Sequence, residues 1–124
     1  MKLNENDYVV KAEKVMEKLQ KQERIPLTTT KIRGLLSMTT DLYNEIQPLS
    51  QDELSDEINA KINYLKVHFL YQAGRDNRGV KRFVEEAHII EYIDDIKGSR
   101  KNFMLFSKYM EALIAYFKYF GGRD

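Results

Sequence analysis

Apolar residues recur along this chain at steps of three and four, the period of a helix face, and almost nowhere in strict alternation. The densest such stretch is the last, from Ser99 to Phe120. Phe103, Phe106, Met110, Leu113, Phe117 and Phe120 make one row, and Leu105, Tyr109, Ala112, Tyr116 and Tyr119 make a second beside it. Together they cover roughly 200° of helix surface, much more than the single stripe of an ordinary surface helix. Ser107, Lys108, Glu111, Ala115 and Lys118, with Met104, are left to face water. A helix so apolar predicts the central post of a bundle, ended by Gly121-Gly122 because glycine takes the left-handed C′ conformation freely.

Four further helices are expected ahead of it. The first is capped by Asn6 or Asp7, with Tyr8, Ala12, Val15 and Leu19 on one face, and it stops at Pro26. The second follows Thr28 to Thr30, buries Ile32, Leu35, Leu36, Leu42, Tyr43 and Ile46, and closes at Pro48. The third starts at Ser50 or Asp52, where Asp52, Glu53, Asp56 and Glu57 complement its dipole, and runs to about Gly74 on Leu54, Ile58, Ile62, Leu65 and Phe69. The fourth carries Val80, Phe83, Ala87, Ile90 and Ile93 inward and ends at Lys97-Gly98. No stretch reads as a strand, a linker or a repeat. The expected fold is all-α, a single five-helix bundle domain over residues 1–124.

Composition narrows the function classes. Charged residues make up 31% and apolar ones 43%, an ordinary balance for a soluble protein. There is no cysteine, which excludes disulfides, thiolate metal sites and a cysteine nucleophile, and which suits a reducing cytoplasm. No stretch has the length of a membrane span, so no membrane partner is expected. Net charge is only +1, but its distribution is uneven. Six acids and no base lie between Asp41 and Ala60, whereas four bases and only Asp76 lie between Arg75 and Arg82. A nearly neutral chain can thus carry a basic face.

Catalytic chemistry finds no support. His68 and His88 lie on separate helices, and His68 sits on the flank of an apolar stripe, where a structural histidine is the usual reading. There is no HExxH, no glycine-rich phosphate loop and no nucleophile elbow, and no cofactor is implied. Glu85-Glu86 and Asp94-Asp95 are neighbours in sequence and diverge by about 100° on a helix.

Bases at helix starts carry more information, because the dipole there disfavours them. The second helix opens with Lys31 and Arg33, the fourth with Arg78, Lys81 and Arg82, and the fifth with Arg100 and Lys101, while Arg75 ends the third. One reading makes these solvated bases, set near the negative ends of neighbouring helices and held by local ion pairs. The other makes them contacts to an RNA or DNA backbone, where free amides and cations pull on phosphate together. Aromatic side chains mostly fall on core stripes, leaving only Tyr64 and Tyr71 exposed.

Three blocks, LTTTKIRGLLSM (Leu27 to Met38), INYLKVHFLYQAGR (Ile62 to Arg75) and KYMEALIAYFKYFGGRD (Lys108 to Asp124), together resemble the small helical subunit of type III-A CRISPR effector complexes, the Csm small subunit. The resemblance covers nearly the whole chain. It implies a non-catalytic, RNA-binding bundle that stacks in several copies along the channel holding guide RNA and target RNA, among the other Csm subunits, in antiviral defence. Cutting is attributed in that family to the backbone and large subunits. Carried onto this chain, it makes Lys31, Arg33 and Arg75 RNA contacts; the helix-start reading adds Arg78, Lys81 and Arg82, all expected on one flank. The acidic run, through Asp52, Glu53 and Asp56, is expected to meet the basic patch of the next copy. The competing reading is a protein-only helical adaptor that uses surplus apolar surface on the first and last helices.

Overall fold

The computed structural model describes residues 2–123, so Asp124, the end of the third block, lies outside the described residues. The chain is all-α: α1 (Tyr8–Met16), α2 (Thr29–Ile46), α3 (Asp56–Arg75), α4 (Val80–Glu86), α5 (Ile89–Asp94) and α6 (Arg100–Tyr119). No strand occurs among the described residues, only one antiparallel bridge between Glu53 and Ser99. No described helix is long and apolar enough to cross a membrane.

The last helix packs on α1, α2 and α5, while α3 leans on α2, α4 and α5. Phe103, Phe106, Met110, Leu113 and Phe117 are buried, as the first apolar row requires. Of the second row only Tyr109 is fully buried, and Tyr119 is 81% exposed. Ser107, expected in water, is buried because it borders the first row beside Phe103 and Met110, on the side facing Leu36 and Thr39 of α2. The helix ends as glycine dictates: Gly121 has φ +93°, its N–H donates to the Lys118 carbonyl, and that of Gly122 donates to Phe117. These are the paired bonds of a Schellman cap. A Cβ at Gly122 would collide with the Phe117 ring.

Three boundaries differ from expectation. The first helix runs on as a π-helical turn, Glu17–Gln22, which keeps Leu19 buried. Its start is held by the Asn4 side chain, which accepts from the Asn6 and Asp7 amides, and not by a capping Asn6 or Asp7. The expected fourth helix is broken at His88, whose φ of +54° and ψ of +39° are left-handed. The break changes the phase, so Ile89 is buried and Ile90 only partly so. Across it, the buried Tyr109 hydroxyl donates to the Ala87 carbonyl at 2.9 Å, and Tyr92 meets Tyr109 edge to face. Finally, α3 begins at Asp56 behind a Ser55 cap. Asp56 and Glu57 do complement its dipole, but Asp52 serves another helix altogether.

Candidate nucleic-acid interface

The α2 N-terminus and the α3 C-terminus lie side by side around a cleft of about 360 Å³. Lys31 and Gly34 from α2 line one wall, His68, Gln72 and Arg75 from α3 the other, and Asp76 and Val80 its end. Helix period explains the pairing: residues 68, 72 and 75 fall on one face of α3, as 31, 34 and 35 do on α2. Two candidates, Lys31 and Arg75, therefore meet in one groove although 44 positions apart in sequence.

Lys31 Nζ donates to Asp76 Oδ2 at 2.8 Å with its side chain still half exposed. This hydrogen bond, then the Gly79 N–H, hold the Asp76 carboxyl below the usual carboxylate range. Arg75 is exposed and stacks its guanidinium 5.6 Å from the Tyr71 ring centre. Arg78, in the turn, and Lys81, in the first turn of α4, are exposed and make no ion pair among the described residues.

Two candidates are not brought to this groove. Arg33 is exposed and makes no ion pair among the described residues, but it projects about 160° around α2 from Lys31, with the buried Ile32 between them in sequence. The expectation of a single flank fails there. Arg82 turns inward: its guanidinium donates to Glu23 and to Glu86, at 2.8 and 3.3 Å, tying α4 to the end of the first helix. Such a fork is the strong form of an Arg–carboxylate pair. Lys18 joins the same carboxylates, and despite the raising effect of burial the two bases leave Glu86 lowered.

Free helix-start amides, the other half of the phosphate argument, are largely satisfied from within. At α2, Thr28 Oγ1 accepts from the Lys31 amide, and the Thr29 amide donates to the Arg123 carbonyl. At α4 the Gly79 amide donates to Asp76 Oδ1. At α6, Asp52 takes the Lys101 amide and the Ser99 hydroxyl, while Arg100 donates to the Ile46 and Gln47 carbonyls at the end of α2. There the bland reading holds: Arg100 is a C-terminal cap for its neighbour. The cations at the cleft are thus the Lys31 and Arg75 side chains, the first paired with Asp76, and not free helix ends.

His68, expected as a structural histidine, lines the cleft half-buried, with Nε2 enclosed and without a hydrogen-bond partner among the described residues. Nothing in its spacing distinguishes that position. Tyr64 and Tyr71 are 62% and 61% exposed, as expected, but Val67 and Leu70 join them on the outer face of α3. Among the described residues no group of three or more His, Asp or Glu side chains converges on a metal-sized site.

The model of the Csm2 type III-A family matches residues 2–123. The chain belongs to that family. A protein of Mycobacterium tuberculosis described as CRISPR system Cms protein Csm2 is 40% identical over 124 residues, the whole of this chain and 99% of its own length. A Streptococcus thermophilus protein of the same description is 42% identical, covering 98% of each chain. One from Enterococcus italicus is 34% identical over 96 residues, 76% of this chain and 68% of its own. Csm2 membership thus extends over all six helices and both walls of the cleft.

Proposed function

We propose that this chain is a non-catalytic small subunit of a type III-A CRISPR–Cas ribonucleoprotein acting in the cytoplasm in antiviral defence. Copies lie along the guide RNA–target RNA channel among other Csm subunits and touch the RNA backbone through a basic face. The observation that supports this best is the convergence of Lys31 and Arg75 on one exposed groove, with Arg78 and Lys81 beside it. Arg82 is committed to Glu23 and Glu86, and Arg33 stands on the other flank of α2, so the contact set is Lys31, Arg75, Arg78 and Lys81. Phosphates carry no sequence information, so these contacts position RNA without reading it.

Fluorescence anisotropy on RNAs of unrelated sequence tests the assignment. Each lost phosphate contact should lower the slope of log affinity against log salt by about 0.7 for a single strand. Replacing Lys31 and Arg75 with alanine should weaken binding equally on every sequence; a sequence-dependent loss, or none, would refute it. The adaptor reading, placed on the first and last helices, draws on exposed Val9, Val10 and Tyr119 there, and also on Tyr64, Val67 and Leu70 of α3. Co-purification separates the two, because RNA of defined lengths accompanies the tagged protein only in the first.

A further inference from the structure

Two residues of the cleft are disfavoured by the fold and offset by nothing within it. Gly34 sits in the second turn of α2, where glycine is the poorest helix former after proline. Its backbone is helical, so no left-handed turn calls for it. A Cβ built there would meet nothing outside its own helix within 4 Å among the described residues, so close packing does not call for it either. What Gly34 does border is the cleft, where it shares one wall with Lys31. On the facing wall His68 encloses an Nε2 that has no hydrogen-bond partner among the described residues, and a buried polar atom left so is costly. Gly74 also has open space around it, but it lies in the last turn of α3 and outside the cleft. Local choices that the fold does not compensate concentrate where a chain meets a ligand.

We propose that Gly34 makes room in the cleft for one sugar–phosphate unit of an RNA strand. Lys31 and Gly34 lie one turn apart on the same face of α2, about 4.5 Å along its axis. A phosphate on Lys31 therefore carries its sugar across Gly34, where the missing side chain lets the ring approach the helix backbone. Gln72, with His68 beside it, offers polar atoms to the sugar hydroxyls from the facing wall, and Arg75 takes the neighbouring phosphate. No phenylalanine or tyrosine lines the cleft among the described residues, so it suits a sugar edge and not a stacked base. This assignment rests on the RNA reading of the cleft and adds a residue without charge to it. Helix stability is given up at Gly34 for access.

Thermal melts and RNA anisotropy on the full chain test it. Gly34→Ala and Gly34→Gln install better helix formers and should raise the melting temperature by a few degrees. RNA affinity should move the opposite way, falling about fivefold for alanine and about tenfold or more for glutamine. The loss should be the same on oligouridylate and oligoadenylate. Gly74→Ala should keep the parent's affinity. A destabilised Gly34→Ala would make that glycine structural, and an equal loss in Gly74→Ala would trace the effect to helix stiffness. A loss confined to one base would put a base in the cleft. Each of these overturns the proposal. Should Lys31→Ala and Arg75→Ala weaken binding while Gly34→Gln does not, the sugar slot is refuted and the RNA contact stands. Should all of them bind as the parent does, both are refuted.

Discussion

At the start of α6 and at the start of α4 the chain places bases where a helix dipole disfavours them, and the two sites are completed differently. Around α6, Asp52 from the distant loop between α2 and α3 takes the Ser99 hydroxyl and the Lys101 amide, and Arg100 reaches the last carbonyls of α2. Two backbone bonds, Leu54 to Gly98 and Arg100 to Asp52, fasten the same junction. Around α4, Asp76 satisfies the Gly79 amide and Lys31, but Arg75, Arg78 and Lys81 pair with no carboxylate among the described residues. An unfavourable base is thus no sign of a ligand by itself. What separates structure from site is whether a neighbouring segment delivers a counter-charge.

The largest contrast should appear in stability. Arg100→Ala removes charge-assisted hydrogen bonds to the half-buried Ile46 carbonyl and the exposed Gln47 carbonyl at the end of α2, a loss of about 1.5–3 kcal/mol. Arg78→Ala touches no such group and should stay within about 0.5 kcal/mol. Chemical denaturation of both variants checks the difference. RNA affinity should divide them the other way, Arg100→Ala leaving it unchanged and Arg78→Ala lowering it. Equal destabilisation would erase the distinction drawn between the two helix starts.

Next in size is Gly79→Ala, which probes how tightly the open junction is built. A Cβ there would stand 2.8 Å from the Pro26 carbonyl oxygen and 3.0 Å from Asp76 Oδ2. The first of these is backbone and yields little, so overpacking should cost about 1–3 kcal/mol. The same shift loosens the Asp76 contact with Lys31, and denaturation with salt-dependent RNA binding would show both effects together. A fully stable Gly79→Ala would mean that the turn moves freely.

Local signals made most of the fold legible: the three–four rows of α2, α3 and α6, the Thr28 and Ser99 caps, and the glycine stop at Gly121. Non-local completion was hidden. Nothing near Asp52 says that it caps α6 rather than α3, since both ends lie within reach of the same loop. The break at His88 carries neither glycine nor proline, and its left-handed backbone follows from packing around Tyr109. In the candidate site, Lys31 and Arg75 were legible from spacing and family resemblance. The diversion of Arg82 to Glu23, 59 residues earlier, and the divergence of Arg33 required the fold.

The smallest effect separates the two aspartates by pH and charge. Both carboxyls are held below their ordinary value of 3.8, Asp52 chiefly by the Lys101 amide and then the Ser99 hydroxyl, Asp76 chiefly by Lys31 and then the Gly79 amide. A folded-state value below the unfolded one gives stability that is fully present above about pH 4 and is lost as pH falls through the folded value. Thermal melts between pH 7 and pH 2 should therefore fall less steeply on the acid side for Asp52→Asn and Asp76→Asn than for the parent. At neutral pH the two variants should part. Asp76→Asn frees Lys31 from its only ion pair among the described residues and should raise RNA affinity by a few-fold, while Asp52→Asn leaves it unaltered. If both aspartates changed RNA binding alike, the sealed and the open helix starts would be one electrostatic unit, and the basic groove would have no claim to be a separate surface.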